Sequence, residues 1–408
     1  MTVKDVAMSA DKQALDIERQ RRLRAARRVV IKLGTSLVTG PGGEVCAERI
    51  EPLMCSVAAL KRAGRQVVLV SSGAVGLGAG RLGLHPSRMR DLVVRQARAA
   101  VGQSLLMHAY EQLFCAHEVR IAQVLLIEDD FTDWRRYTNL RRTMEKLLKL
   151  GVLPIVNEND TVSTAELEYV ASGPERVFGD NDRLAALVMS RLESDALVLL
   201  TNVDGLLWHD AKGPGNGSAD DEELTLIPMI EEISPELKAV AAGPSAGGRG
   251  GMLTKLEAAQ IAMRAGGVAV IANGLKPRVL DGIFAGEQIG TTFMSRSRMA
   301  GKRRWIAYAA CVRGRVIVNA GAREAIIGGK ASLLSSGVVR VEEQFEPQDV
   351  VSIADFEGRE FARGIINCTS AEAAALIDYR ERTSAQYRVG ERAHVLVRRD
   401  NIVLAEKK

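Results

Sequence analysis

The stretch Arg28-Val-Val-Ile-Lys-Leu-Gly-Thr-Ser-Leu-Val-Thr39 decides the organisation of the chain. Its apolar run at residues 29–33 predicts a buried strand that carries one lysine, Lys32, and ends in a small polar turn at Gly34. A buried ammonium group needs an anion, and the small residues after it leave backbone N–H groups to bind one. The pattern favours a phosphate site. The alternative is a strand-end lysine that reaches into solvent; a Walker loop is not indicated, because here the lysine precedes the glycine.

Strands and helices alternate from residue 28 to about residue 292. The predicted strands are the apolar runs 29–33, 66–70, 119–127, 152–156, 196–200 and 268–272. The predicted helices are 48–62, 89–115, 138–150, 181–191 and 252–264. Because these strands are continuously apolar, helices should cover both faces of their sheet. This predicts an α/β three-layer sandwich with a mainly parallel sheet.

The two ends of the chain differ from this middle part. Residues 1–27 form a charged N-terminal extension, for which we expect a solvated helix. The catalytic domain is predicted at 28–298. After residue 295 a basic connector leads to short apolar segments separated by turns, at 314–318, 338–341, 350–354 and 392–397, with one helical run at 370–377. Residues 299–408 are therefore predicted to be a linker and a β-rich domain.

Composition restricts the class of protein. The chain has 408 residues, 47% of them hydrophobic, and no apolar run near the roughly 20 residues of a membrane helix. Its five scattered cysteines suit a reducing cytoplasm and neither a disulfide framework nor a zinc site. The net charge is +5 and the positive excess lies at the two ends, so bulk charge does not indicate nucleic-acid binding by the middle of the chain.

Polar residues gather where the predicted strands end. They are Lys32 with Gly34, Ser71-Ser72-Gly73, Asn157-Glu158-Asn159-Asp160, and Thr201-Asn202. In parallel sheets ligands bind beyond the carboxyl ends of the strands, so these residues are expected to share one site. The small residues from Ser71 to Gly80 would let the backbone approach a ligand, unless they form only a flexible loop.

A second phosphate motif is Gly247-Gly-Arg-Gly-Gly-Met-Leu-Thr-Lys255. A glycine run that enters a helix brings N–H groups, the helix dipole and an ammonium group to one polyphosphate; the alternative is a hinge with a surface lysine. If Lys32 and Lys255 face one pocket, a carboxylate must orient them, and Asp182 at a helix start could do so. The carboxamides of Asn157 and Asn181 suit recognition of an amino acid.

Five ordered motifs support a family resemblance. They are Val-Ile-Lys-Leu-Gly-Thr-Ser (30–36), Ser-Ser-Gly-Ala (71–74), Asn-Glu-Asn-Asp (157–160), Gly-Asp-Asn-Asp (179–182) and Gly-Gly-Met-Leu-Thr-Lys (250–255). From about residue 28 to near the C-terminus, the chain resembles the amino acid kinase family, and within it the glutamate 5-kinases with a C-terminal PUA-type domain. The resemblance implies the amino acid kinase fold followed by a smaller β-rich PUA-type domain.

The resemblance also implies a reaction and its residues. The reaction is ATP-dependent phosphorylation of the γ-carboxylate of L-glutamate to L-glutamyl 5-phosphate, the first step of proline biosynthesis, with Mg²⁺. Lys32, Lys255 and Asp182 would be catalytic, and no residue is assigned as a metal ligand. Glutamate would bind to Ser72, Gly73, Asn157, Asp160 and Asn181. ATP would bind to Lys32, Gly34, Thr201, Asn202, Gly250, Gly251, Met252, Leu253, Thr254 and Lys255.

Partners and alternatives follow from the same resemblance. It implies a cytoplasmic homo-oligomer, a dimer or tetramer, with proline as feedback inhibitor and a glutamyl phosphate reductase as partner. The alternatives are a kinase for acetylglutamate, aspartate, carbamate or a nucleoside monophosphate, and an RNA-binding protein acting through the PUA-type domain. The chain departs from the family pattern in a longer segment at 168–177, in Arg249 where threonine is frequent, and in Asn202 where aspartate is frequent.

Overall fold

In the computed structural model, the chain divides into two compact units. The first comprises Met1–Asp130 and Asn139–Arg298, and the second Phe131–Thr138 and Met299–Lys408. The structure describes residues 3–83, 91–127, 129–162, 181–209, 224–241, 251–295, 306, 312–329, 331–383 and 394–404. The long segment at 168–177, Arg249, Gly250 and the basic connector at 296–304 lie outside these residues.

The elements that begin before residue 300 follow the predicted alternation. The strands are β1 (Arg28–Leu33), β2 (Gln66–Ser71), β3 (Ile121–Leu126), β4 (Leu153–Glu158), β5 (Ala196–Thr201), β6 (Leu207–His209), β7 (Leu224–Leu226), β8 (Met229–Ile230), β9 (Val268–Asn273) and β10 (Thr291–Met294). The helices are α1 (Val3–Ala25), α2 (Thr35–Val38), α3 (Ala47–Arg62), α4 (Ala74–Leu82), α5 (Leu92–Cys115), α6 (Asp129–Thr132), α7 (Trp134–Lys149), α8 (Asn181–Arg191), α9 (Pro235–Ala241), α10 (Met252–Arg264) and α11 (Val279–Ala285).

The main sheet has eight strands in the order β3-β4-β2-β1-β5-β9-β10-β8. The pairs from β3 to β9 are all parallel, which confirms the predicted mainly parallel α/β sheet. The edge beyond β9 was not predicted: β10 runs antiparallel to β9 and pairs with the two-residue β8. These strands are too short to show a periodicity in the sequence.

Strand β1 lies at the centre of this sheet, between β2 and β5. Val29, Ile31 and Leu33 join a core that includes Ile50 of α3. Because side chains alternate across a strand, Lys32 points to the opposite face. Both faces of β1 are covered, as its continuous apolar run predicted.

Helix α1 corrects the expectation of a solvated extension. The extension is helical, but its second half is packed, with Arg19 and Leu23 each only 1% exposed. The Arg19 guanidinium donates hydrogen bonds to the carbonyls of Gly286 (3.0 Å) and Glu287 (2.8 Å), which follow the end of α11. The solvated interpretation was wrong because it counted charges and overlooked the carbonyls that a helix C-terminus leaves unbonded. We call Arg19, Arg22 and Arg24 the arginine clamp.

The glycine-rich run after β2 forms α4, so it is not a loop beyond Gly73. A Cβ atom at Gly102 of α5 would lie 1.7 Å from the Ala74 carbonyl oxygen, and one at Gly78 would lie 1.9 Å from the Arg98 carbonyl oxygen. These glycines allow α4 and α5 to pack backbone to backbone. The expectation that the whole run approaches a ligand is therefore wrong for this part of it.

The second unit is β-rich, as predicted. Its strands are β11 (Arg315–Val318), β12 (Leu333–Leu334), β13 (Val338–Glu342), β14 (Val350–Ala354), β15 (Glu360–Ile366) and β16 (Val395–Leu404), and its helices include α12 (Ala320–Ile327) and α13 (Ser370–Thr383). The six strands form one sheet in the order β12-β16-β15-β14-β11-β13 around a separate apolar core. Among the described helices of the whole chain, none is long and apolar enough to cross a membrane.

Candidate active site

Two lysines bind one buried aspartate at the carboxyl end of β1. Lys32 Nζ lies 2.6 Å from Asp182 Oδ1, and Lys255 Nζ lies 3.0 Å from Asp182 Oδ2. The three come from β1, from the first turn of α8 and from the first turn of α10. The Asp182 side chain has no exposed surface. The three predicted catalytic residues therefore form one cluster, with each ammonium group on its own carboxylate oxygen.

The charges in this cluster fix the ionisation of Asp182. Burial by itself raises the pKa of the Asp182 carboxyl, but the ammonium groups of Lys32 and Lys255 outweigh it and lower the pKa from 3.8 to about 2. Asp182 is thus a permanent anion at neutral pH. With two cations on one anion, the cluster carries a net positive charge, which suits the binding of phosphate oxygens.

The start of α10 supplies further polar groups beside Asp182. Gly251 is the N-cap and has no side chain that could bond to the N–H groups of Met252 and Leu253 in the first turn. Thr254 Oγ1 lies 3.2 Å from Asp182 Oδ2 and 2.9 Å from the Gly251 carbonyl oxygen. The predicted ATP-binding residues Gly251, Met252, Leu253, Thr254 and Lys255 are therefore on one helix turn at the cluster, while Gly250 lies outside the described residues.

The other predicted ATP residues follow β1 and β5. The sequence suggested that the N–H of Gly34 could bind a phosphate. Instead it donates to the Leu200 carbonyl (3.1 Å) and is not available to a phosphate. A Cβ atom at Gly34 would lie 4.0 Å from Lys32 Nζ, so this glycine keeps the space beside the ammonium group open. Thr201 ends β5 and is buried, whereas Asn202 is exposed, and their side chains are 3.3 Å apart.

Three predicted glutamate-binding residues, Ser72, Asn157 and Asn181, form a second cluster, which we call the amide cluster. It lies next to the lysine cluster of Lys32, Asp182 and Lys255. Asn181 Nδ2 donates to Ser72 Oγ (2.8 Å), to Asn157 Oδ1 (3.0 Å) and, at 3.3 Å, to the Ser71 carbonyl. These residues come from the ends of β2 and β4 and from the start of α8. Since Asn181 directly precedes Asp182, the amide cluster and the lysine cluster share one helix start.

Gly73 and Asp160 complete the predicted set. Gly73 is the N-cap of α4 with φ of 114°, a conformation that favours glycine. A Cβ atom there would meet Thr39 Oγ1 at 2.9 Å. Asp160 accepts from Arg95 of α5 at 3.1 Å. Gly73 therefore has a backbone reason to be glycine, and Asp160 is anchored by a partner that the sequence did not indicate.

Two further residues of α5 escaped prediction. Gln103 Oε1 accepts from Asn157 Nδ2 at 2.9 Å, and Tyr110 OH lies 2.7 Å from Ser71 Oγ. Gln103 and Tyr110 are seven residues apart and thus on one helix face. The available signal was a pair of polar groups two turns apart on an otherwise apolar face, which in sequence resembles an ordinary core helix.

Two family models match the chain. The amino acid kinase family matches residues 27–273, and the PUA domain matches residues 314–383. The first match contains Lys32, Asp182, Lys255 and the amide cluster.

Curated proteins resemble nearly the whole chain. A protein of Moorella thermoacetica named glutamate 5-kinase is 43% identical over 385 residues, which is 94% of this chain and 97% of that protein. A glutamate 5-kinase of Myxococcus xanthus is 44% identical over 360 residues, or 88% of this chain and 91% of that protein. A third, from Chromohalobacter salexigens, is 41% identical over 94% of this chain.

Proposed function

The chain belongs to the glutamate 5-kinases of the amino acid kinase family, and from this membership we propose that it phosphorylates the γ-carboxylate of L-glutamate with ATP. The product is L-glutamyl 5-phosphate, which places the protein at the first step of proline biosynthesis. The observation that carries the proposal is the Lys32–Asp182–Lys255 cluster beside the amides of Asn157 and Asn181. A cationic phosphate site thus adjoins a neutral hydrogen-bonding site.

The lysines supply the charge that the reaction requires. Phosphoryl transfer depends on aligning the acceptor with the γ-phosphate and on neutralising the oxygens of the transferring group. Lys32 and Lys255 are both held on Asp182, at 2.6 and 3.0 Å, so their spacing is set before substrate binds. We assign Asp182 the role of orienting the two cations.

No general base is needed for this acceptor. A γ-carboxyl group with an ordinary pKa near 4.3 is already ionised at neutral pH and attacks as its carboxylate. Asp182 is unsuited to take a proton, because the two lysines lower its pKa to about 2. The new bond joins a carboxylate oxygen to the γ-phosphorus, and the bond from that phosphorus to the leaving ADP oxygen breaks.

The residues present fit ATP, whose phosphates would be held by Lys32, Lys255 and the first turn of α10. Mg²⁺ is commonly held by one or two carboxylates together with the substrate phosphates. We propose on this basis that Mg²⁺ arrives on the ATP phosphates; within the described residues, no group of three or more His, Cys, Asp or Glu side chains could hold a metal. When bound, it would neutralise further charge on the phosphate oxygens.

The acceptor can be identified by trapping its product. We expect purified protein with ATP, Mg²⁺, L-glutamate and hydroxylamine to form the γ-hydroxamate. Parallel reactions with N-acetylglutamate, aspartate, carbamate and UMP test the alternative kinases; all are followed by ADP release, because phosphorylated UMP forms no hydroxamate. Activity with one of these and none with glutamate would overturn the proposal.

Regulation and assembly remain predictions. We propose that the protein forms a dimer or tetramer, is inhibited by proline and passes its labile product to a glutamyl phosphate reductase. Light scattering, proline titration of the hydroxamate reaction and coupled assays with a reductase test these points. The PUA domain invites one further assay, a gel shift with structured RNA at low salt.

A further inference from the structure

Three side-chain amides form a continuous chain of hydrogen bonds in the amide cluster. Asn157 Nδ2 donates to Gln103 Oε1 (2.9 Å), and Asn181 Nδ2 donates to Asn157 Oδ1 (3.0 Å). Gln103 and Asn157 are buried, with 9% and 2% of their surface exposed. We call these three residues the amide relay. Each amide has a donor end and an acceptor end, so the relay has a direction.

Backbone groups fix that direction. The Glu158 N–H donates to Asn157 Oδ1 at 2.9 Å, and the Ser71 carbonyl accepts from Asn181 Nδ2 at 3.3 Å. A backbone N–H cannot accept and a backbone carbonyl cannot donate, so neither amide can reverse without placing like groups together. Asn157 must therefore present its Nδ2 to Gln103, and Asn181 must keep its Oδ1 outside the relay.

Asn181 Oδ1 is then left for a ligand. It is buried and has no hydrogen-bond donor within the described part of the chain. A buried acceptor without a donor is unfavourable, and a ligand that brings an N–H group would remove that cost. An α-amino acid carries such a group in its ammonium, whereas a simple dicarboxylate does not.

Helix α5 holds the relay in place. Gln103 provides the one acceptor for Asn157 Nδ2 among the described residues. Two turns further along the same face, the Tyr110 hydroxyl is hydrogen-bonded to Ser71 Oγ, and Ser71 Oγ in turn donates to the Ser72 carbonyl at 3.0 Å. Burial raises the pKa of Tyr110, so its hydroxyl stays protonated. The same helix thus supports both the Asn157 amide and the turn that Asn181 contacts.

We propose that Gln103 is a positioning residue that directs Asn181 Oδ1 at the α-ammonium of the amino acid substrate. The inference rests on the proposed function. Without the Gln103 acceptor, the Asn157 amide has a buried unsatisfied N–H and tilts towards another acceptor without reversing. Its Oδ1 then draws away from Asn181 Nδ2. Asn181 keeps its contacts with Ser72 Oγ (2.8 Å) and the Ser71 carbonyl (3.3 Å) but is positioned less firmly for an ammonium group.

The test compares two ligands that differ by one ammonium group. L-Glutamate is measured as substrate by hydroxamate formation, and glutarate, which has both carboxylates and no ammonium, as its competitive inhibitor. Gln103→Met removes the acceptor at similar length, Gln103→Glu retains an acceptor, and Gln112→Met changes an exposed glutamine on the same helix.

We expect Gln103→Met to raise the KM for glutamate roughly tenfold, because a hydrogen bond to a charged group is weakened. The kcat and the glutarate Ki should stay within about twofold of the wild-type values, since neither depends on the ammonium contact. Gln103→Glu and Gln112→Met should both keep the wild-type ratio of glutamate KM to glutarate Ki.

In Gln103→Met, an equal rise of the glutamate KM and the glutarate Ki, or an effect confined to kcat, would overturn the proposal. If Gln103→Met fails to fold, Gln103→Glu is the deciding variant. It retains the acceptor, so a change in its ratio of glutamate KM to glutarate Ki would contradict the relay. Absence of hydroxamate from the wild-type protein would instead refute the proposed function. Calorimetric titration of the same variants with the two ligands would then test the relay separately.

Discussion

Cations are held by oxygen atoms at two places in the first unit, with different partners. At the carboxyl edge, Lys32 and Lys255 are paired with the carboxylate of Asp182. Elsewhere the arginine clamp, of which Arg19 is buried and Arg24 exposed, binds chiefly backbone carbonyls: Arg19 those of Gly286 and Glu287, Arg22 those of Gly266 and Ser295, and Arg24 that of Ala285. Both sets are held by oxygen atoms, but only one contains a buried charge pair.

The different partners indicate different roles for the arginines and the lysines. Backbone carbonyls at the ends of helices and strands need donors in any case, so a guanidinium that binds them completes the fold. A buried carboxylate with two ammonium groups is a costly way to add stability, because all three charges must be removed from water. Such a cluster is better explained by the anion that its net positive charge attracts.

The largest expected effect comes from removing the shared carboxylate. Asp182→Asn leaves two buried ammonium groups without their counter-charge, which should cost about 3–5 kcal/mol of unfolding free energy. We also expect hydroxamate formation to fall by roughly 10³-fold or more, since the lysines lose their common anchor. Urea unfolding and the hydroxamate assay measure the two effects.

Asp204→Asn is the matched control, because Asp204 pairs with Lys276 at 2.7 Å while both side chains are about half exposed. It should change stability by less than about 1 kcal/mol. If Asp182→Asn and Asp204→Asn lost the same unfolding free energy, the buried cluster would not differ from an ordinary ion pair.

Removal of one lysine should separate catalysis from stability. In Lys255→Met the buried Asp182 keeps Lys32 at 2.6 Å, so no lone charge remains. We expect kcat to fall roughly 10²- to 10⁴-fold and the melting temperature to change little. Lys276→Met, at an exposed lysine, should leave kcat unchanged. A Lys255→Met protein with normal kcat would show that this cation serves the fold, as the arginine clamp does.

The sequence predicted the lysine cluster better than the clamp, for a physical reason. Lys32 interrupts an apolar strand and Asp182 begins a helix, and parallel topology brings such positions to one edge. Arg19 lies among several arginines, and its partners outside α1 are backbone carbonyls, which no residue type marks. Gln103 was missed similarly, because its partner Asn157 is distant in sequence and a single glutamine leaves a helical pattern intact.

Breaking the clamp should destabilise the protein and spare catalysis. Arg19→Met removes the donors to Gly286, Glu287 and Asp16, which should lower the unfolding free energy by about 2–4 kcal/mol. The kcat at temperatures well below unfolding should not change. Arg21→Met is the control, since Arg21 is 66% exposed and bonds only Glu18 among the described residues, so its melting temperature should match the wild type. A loss of kcat at unchanged stability would place α1 in the catalytic machinery.

Acid should produce the smallest of the expected changes in stability, and it should distinguish the Asp182 cluster from the arginine clamp. The pKa of Asp182 is lowered from 3.8 to about 2 in the folded protein, so its stabilising contribution is complete above about pH 4 and is lost as the pH falls towards 2. The shift corresponds to about 2 kcal/mol. Urea unfolding between pH 5 and pH 2.5 should therefore show a shallower loss of stability in Asp182→Asn than in the wild type. Arg19→Met should run parallel to the wild type between pH 7 and pH 5, because the bonds that it removes to Gly286 and Glu287 end on backbone carbonyls, whose charge does not depend on pH. Parallel acid curves for Asp182→Asn and the wild type would mean that the two lysines do not hold Asp182 ionised, and the contrast between the Asp182 cluster and the arginine clamp would lose its electrostatic basis.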